Sequence, residues 1–211
     1  MFTRVAGVLL AAGQGSRFGR PKALVELDGQ TLAERGVAML LAGGADPVLV
    51  VTGAAPVELA PGPRVRVVHN PQWRTGMGSS LRAALRALPA DAGAAVVALA
   101  DQPLVGAEAV ARLIAAYRCG ASVAVAAYDG KPRNPVLLAR EHWAGVIAAA
   151  TGDQGARAFL RARPDLVTLV ECGDTGQPDD IDTPADLDRI ASRRRGQAGA
   201  EPGQPRRPAP Q

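Results

Sequence analysis

"VAGVLLAAGQGSRFGRPKAL", residues 5–24, sets an apolar run, Val5 to Leu10, directly against a loop that holds Gly13, Gly15 and Gly19 together with Arg17, Arg20 and Lys22. The run has the length and composition of a buried strand, and the glycines end it sharply. Further apolar runs follow at Pro47 to Thr52, Val65 to Val68, Ala94 to Ala100, Ser122 to Ala127 and Leu166 to Cys172, most of them bounded by Gly, Pro, Asp or Asn. Between most of them lie helical patterns rich in Ala, Leu and Arg: Leu32 to Leu41, Ser79 to Leu88, Ala107 to Tyr117, Arg140 to Ala149 and Ala156 to Arg161. Strands that alternate with helices predict an α/β fold with a mainly parallel sheet and helices on both faces. Ligands in such folds bind beyond the carboxyl ends of the strands, where the loop of residues 11–24 would lie.

Two familiar phosphate loops are absent from that stretch. A dinucleotide fingerprint requires a third glycine where Phe18 stands, and a P-loop requires Gly-Lys-Ser/Thr, whereas Lys22 lies between Pro21 and Ala23. What remains is a backbone free to approach a ligand closely, with three fixed positive charges beside it, a combination that suits a polyphosphate. Residue types alone fit an ordinary glycine turn with solvated charges equally well.

The 211 residues, 47% hydrophobic and 21% charged, suit one globular domain with a core of Ala, Val and Leu. Aromatic residues make up only 3%, too few for a base-stacking platform. The formal charge of +4 lies in the terminal stretch "RRRGQAGAEPGQPRRPAPQ", residues 193–211, whose five arginines face one glutamate. The preceding residues are formally neutral, which argues against nucleic acid as a partner. A domain over residues 1–192 and a disordered Arg/Pro/Gly-rich tail over 193–211 are therefore expected. No signal peptide or membrane span is read, so a cytoplasmic location is expected. Cys119 and Cys172 lack metal-ligand spacing, as do His69 and His142.

A triphosphate site calls for Mg²⁺, and Mg²⁺ calls for carboxylates. "VVALADQPL" puts Asp101 at the end of the most apolar strand, where a plain turn residue is the competing reading. "DDIDTPADL" clusters Asp179, Asp180 and Asp182 ahead of a helix that Thr183 caps, with Asp186 placed to complete a capping box and an expected end near Ser192. Asp180 and Asp182 are both candidates for the second ligand. In "HNPQWRTGMGSSLRAAL", Gly76 and Gly78 lead into a helix start with Ser79 and Ser80, which serve either a polar ligand or the helix as caps.

Five blocks in order, "LLAAGQGSRFGRPKAL", "NPQWRTGMGSSL", "ALADQPL", "GDQGARAFL" and "DIDTPADL", resemble the MobA-like nucleotidyltransferases, and among them the molybdenum cofactor cytidylyltransferase branch, over nearly all of residues 5–190. The resemblance implies a Rossmann-like three-layer nucleotidyltransferase fold. It implies transfer of a nucleoside monophosphate to a phosphorylated pterin acceptor with release of pyrophosphate. By position, Ala11, Ala12 and Gly13 would face the base, Gly76 and Ser80 the base or ribose, Arg17 and Lys22 the triphosphate, and Asp101 with Asp182 the Mg²⁺. Two alanines before Gly13 resemble the cytidylyl branch and imply CTP over GTP. A molybdoenzyme or its chaperone is an implied partner. Two positions depart from the pattern: Phe18 replaces a common methionine, and Asn134 stands before Pro135 where this branch shows Gly-His-Pro. The alternatives are an oxidoreductase reusing the scaffold, of the nicotine blue oxidoreductase kind, and a non-catalytic cofactor-delivery protein.

Overall fold

The structure, a computed structural model, describes residues 4–59 and 62–198, with side chains to residue 192. The opening apolar run forms β1 (Arg4–Leu10), buried from Val5 onward. A short hairpin, β2 (Glu26–Leu27) and β3 (Gln30–Thr31), then delivers the chain into α1 (Leu32–Ala42). Thr31 caps that helix in a reciprocal capping box with Glu34, which satisfies two of its free amide donors. There follow β4 (Val48–Thr52), β5 (Val65–His69), α2 (Met77–Ala87), β6 (Ala92–Leu99), α3 (Ala107–Arg118), β7 (Val123–Tyr128) and β8 (Lys131–Ala139). The chain closes with α4 (Trp143–Ala149), α5 (Arg157–Ala162), β9 (Val167–Glu171) and α6 (Pro184–Ala198).

The main sheet has the order β5-β4-β1-β6-β8-β7-β9. Four of its six pairings are parallel, and only β8, lying between β6 and β7, runs against its neighbours. One hydrophobic layer joins Leu9, Val50 and Val96 to α1 and α3 through Val37, Leu40, Val110 and Leu113. The opposite layer joins Val8, Val51 and Val97 to α2, α4 and α5 through Leu81, Leu85, Trp143, Val146 and Phe159. Strands buried on both faces explain why they read as continuous apolar runs. The expected three-layer architecture holds.

Three expectations need correction. Strand β8 was not read from the sequence, because Pro132 and Pro135 mark a turn rather than a central strand. Its pairing with β6 begins only at Val136, and its pairing with β7 is irregular between Val125 and Ala127, so the prolines fall where ladder donors are not required. The helix expected from Arg140 opens as a 3₁₀ turn, Arg140–His142, before α4. Helix α6 continues to Ala198 rather than ending near Ser192, so it runs into the first six residues of the expected tail. Extending an existing helix through Arg, Gln and Ala costs little compared with starting one. The remainder of the expected tail, 199–211, lies outside the described residues.

Candidate active site

At the carboxyl end of β1 the glycine-rich loop turns back on itself: the carbonyl of Gly15 accepts from the amides of Phe18 and Gly19, both at 2.9 Å. Gly15 has φ +65°, and a Cβ there would overlap the Arg20 carbonyl, so the turn needs glycine. A Cβ on Gly13 would meet open space, so nothing in the packing demands glycine at that position. Pro21 then starts a 3₁₀ turn, Lys22–Leu24, whose Ala23 is buried, and this aims Lys22 back across the strand ends.

There the Lys22 ammonium sits between two carboxylates, 2.9 Å from Asp101 Oδ2 and 2.6 Å from Asp182 Oδ1. Asp182 reaches this point because backbone bonds tie its segment to the end of β6. The amide of Ile181 donates to the carbonyl of Asp101 at 2.8 Å, and that of Gln177 to Leu104. Arg17 adds a second cation, 2.9 Å from the same Asp182 oxygen. Burial alone would lower the Lys22 pKa, but the Asp101 charge and the hydrogen bonds to both carboxylates raise it, so the ammonium stays charged.

Asp180 is set apart from that pair. Its carboxylate accepts from Gln102 Nε2 at 2.8 Å. Its pKa is raised by desolvation first, and then by the like charges of Asp101 and Asp182. Of the two candidates for a second cation ligand, Asp182 therefore shares a counter-ion with Asp101, whereas Asp180 is held by an amide.

These residues border a cleft of about 460 Å³ lined by Ala11, Ala12, Gly13, Arg17, Lys22, Gly76, Ser80 and Asp101; Asp182 stands behind Lys22 and outside the lining. Eight of the residues that the resemblance implies thus meet at one opening, while Asp180, Ser79 and Arg20 lie outside its lining. Ser79 and Ser80 are not caps, since α2 starts two residues earlier at Met77. Both hydroxyls accept from the buried Asn70 Nδ2, at 2.8 and 3.0 Å, which locks this wall of the cleft. Gly76, at φ +103°, lets residues 75–78 approach the Gly152 backbone, which any side chain there would strike.

The sequence reading missed Trp73, Arg74 and Asp153, which also line the cleft. Arg74 stacks on the Trp73 ring at 4.5 Å, and Asp153 accepts from the Met77 amide at 3.3 Å. Each lies inside a block already singled out, yet none belongs to a residue pattern that announces chemistry by itself. Among the described residues no cluster of three or more His, Cys, Asp or Glu forms a ready-made metal site, and no helix is long and apolar enough to cross a membrane.

Cations facing carboxylates at the strand ends of a mainly parallel sheet are what an α/β enzyme that handles phosphates requires. Comparison with known proteins takes that class to a family: the chain belongs to the MobA-like NTP transferases, whose domain matches residues 7–167. It is 38% identical to the nicotine blue oxidoreductase of Paenarthrobacter nicotinovorans over 205 residues, covering 88% of this chain and 96% of that one. It is 35% identical to a probable molybdenum cofactor guanylyltransferase of Opitutus terrae over 127 residues, covering 60% of this chain and 62% of that one. Among solved structures, the homolog of Mycobacterium tuberculosis Rv0371c from Mycobacterium sp. strain JC1 superposes with a TM-score of 0.77 at 33% identity, covering 92% of this chain and 98% of that one.

Proposed function

We propose that this protein is a Mg²⁺-dependent nucleotidyltransferase that moves CMP from CTP to a phosphorylated acceptor, a pterin of the molybdenum cofactor type, and releases pyrophosphate. The observation that carries the reading is the meeting of Arg17, Lys22, Asp101 and Asp182 at the mouth of a cleft floored by the glycine loop. Asp101 and Asp182 offer hard oxygen donors that already converge on one cationic atom, so the donor set suits Mg²⁺. Bound there, the ion would neutralise charge on the reacting phosphates.

An acceptor phosphate oxygen attacks the α-phosphorus in line, a new phosphoanhydride bond forms, and the α–β bridging bond breaks to release pyrophosphate. Lys22 and Arg17, which here pair with carboxylates, turn to the triphosphate and offset the charge that grows on the leaving group. A phosphate nucleophile is already largely ionised near neutral pH, so no strong protein base is required. Ala12, in a buried position beside Gly13, supports CTP through the resemblance to the cytidylyl branch; similarity to a guanylyltransferase makes GTP the competitor.

Calorimetric titration with CTP, GTP, UTP and ATP, with and without Mg²⁺, tests this reading. CTP is expected to bind most tightly and only weakly without the ion. A preference for GTP would move the protein to the other branch, and no binding of any nucleotide would overturn the reading. Identity to a nicotine blue oxidoreductase along nearly the whole chain favours one second reading, a reductase on the same scaffold. Bleaching of nicotine blue by the purified protein with a reduced nicotinamide cofactor, in the absence of nucleotide binding, would establish it instead.

A further inference from the structure

Asn70, directly after β5, is buried, and both polar atoms of its side chain are engaged. Its Oδ1 accepts from the amide of Gln72 at 3.0 Å, and its backbone amide donates to the carbonyl of Thr52 at the end of β4. The Gln72 amide can only donate, so Oδ1 must face it and Nδ2 must face the hydroxyls of Ser79 and Ser80. The two serines then differ. The Ser79 proton finds acceptors in the carbonyls of Gln72 and Gly76, at 2.9 and 2.8 Å, so the bonds around Ser79 close a circuit that holds the turn. Ser80 Oγ also takes a proton from Asn70, yet among the described residues nothing accepts the proton of Ser80 itself. That side chain lines the cleft and belongs to a residue only 3% exposed. A buried donor left without an acceptor costs free energy, and the turn does not require this one, since Ser79 already joins Asn70 to the start of α2.

We propose, resting on the transferase reading of that cleft, that Asn70 is a positioning residue: it holds the Ser80 oxygen from behind, so that the Ser80 O–H donates to an acceptor atom of the nucleoside. A serine inside a helix ordinarily turns its proton back to the carbonyl one turn earlier, here that of Gly76, which would leave only lone pairs for the ligand. Two things oppose that at Ser80. The Gly76 carbonyl already accepts from the amide and the hydroxyl of Ser79, at 3.1 and 2.8 Å, and the Asn70 N–H occupies a lone pair of the Ser80 oxygen. A hydroxyl that accepts one hydrogen bond also becomes a stronger donor in the next. The atom it meets is therefore an acceptor, either a carbonyl oxygen or ring nitrogen of the base or an oxygen of the ribose. Asn70 itself lies outside the lining of the cleft and acts through Ser80.

Calorimetry of CTP with Mg²⁺ on the full chain tests this through a double-mutant cycle. Ser80→Ala should weaken CTP by about tenfold. Asn70→Asp keeps the shape and removes both donors, Asn70→Ala removes them without adding charge, and each should weaken CTP by a similar factor. Combined with Ser80→Ala, neither should weaken it by more than about twofold further, because the group through which Asn70 acts is already gone. Ser79→Ala, which also takes a partner from Asn70, should bind CTP as the parent does. Cooperative melting shows which variants are folded, and either Asn70 variant suffices for the cycle. Additive losses in the double variants would make Asn70 a mere scaffold and overturn the proposal. So would an Asn70 variant that binds CTP like the parent, or a Ser79→Ala protein as weak as Ser80→Ala. Repeating the cycle with 2′-deoxy-CTP separates the two acceptors: a coupling that persists supports the proposal with the acceptor on the base, and one that vanishes supports it with the acceptor on the ribose. A parent that binds no nucleotide would overturn the transferase reading and the role of Asn70 with it, whereas CTP binding with additive losses would overturn that role alone.

Discussion

Asp101, Lys22 and Asp182 form a charge relay that cannot serve two ligands at once. In the structure the ammonium lies between the two carboxylates; under the proposed function it would leave them for the triphosphate, and the carboxylates would then be free for a divalent cation. Asp101→Asn is expected to keep the fold, since the amide retains the shape of the side chain, and to lower turnover by a factor of about a hundred or more, measured as pyrophosphate release. Lys22→Ala should raise the CTP dissociation constant by roughly 1.5–3 kcal/mol, the worth of a hydrogen bond to a charged group. It should also strengthen Mn²⁺ or Mg²⁺ binding in the absence of nucleotide, because two carboxylates then lack their counter-ion; calorimetry reads both effects. Asp180 gives the pH dependence. Its raised folded pKa means that the folded state holds the proton more tightly than the unfolded chain, so this residue costs stability once pH rises above the ordinary carboxylate value of 3.8 through the raised folded value. Asp180→Asn keeps an acceptor for Gln102 and should raise the melting temperature at pH 7, with the gain vanishing below pH 3.8. Arg17, Lys22 and Asp101 were legible in sequence because charge beside glycine, or at a strand end, is a pattern. Choosing Asp182 over Asp180 was not, since the two are two residues apart and only the Ile181 amide bond to Asp101 decides which faces Lys22.

At the scale of elements, α6 is what holds Asp182 in reach. Its Ile190, with Ile181 just before the helix, packs on Val25, Leu27 and Leu32 in a third small core that also takes Phe18 from the glycine loop. The helix starts at a capping box: the Thr183 hydroxyl donates to Asp186 Oδ2 at 2.8 Å and accepts from the Asp186 amide at 3.3 Å. Thr183→Ala should cost about 1 kcal/mol in chemical denaturation. It should also weaken the depression of the Asp186 carboxyl, now lowered to about 2 by its bonds to Thr183 and Arg189. That depression contributes stability above 3.8 which is lost as pH falls toward 2, so the variant should lose less than the parent over that range. This cap was visible in "DTPADL" because it depends only on local spacing. Strand β8 was not, because a ladder tolerates Pro135 only through pairings with β6 and β7 that no local pattern records.

Over the whole molecule, alternation of apolar runs and helices was enough to give the layers and the end of the sheet at which ligands would bind, since burial on both faces leaves a signal in the central strands β1, β4, β6 and β7. The order of the strands depends on contacts remote in sequence and was not read from it; the grouping of Ala11, Ala12, Gly13, Arg17, Lys22, Gly76, Ser80, Asp101 and Asp182 was reached only through the family resemblance, and Trp73, Arg74 and Asp153 were not reached at all. That grouping makes stability a readout of the ligand. A nucleotide spanning the cleft would touch the β1 loop, the start of α2 and the end of β6, and would therefore bind the folded chain and not the unfolded one. CTP with Mg²⁺ at 100 times its dissociation constant should then add about 2.7 kcal/mol. For a chain of this size that corresponds to a rise in melting temperature of roughly 5–11 °C. GTP at the same concentration should give a smaller rise, and CTP without the ion a smaller one still. Equal shifts with CTP and GTP would remove the preference assigned to Ala12, and a melting temperature that ignores every nucleotide would mean that the cleft, though assembled, holds something else.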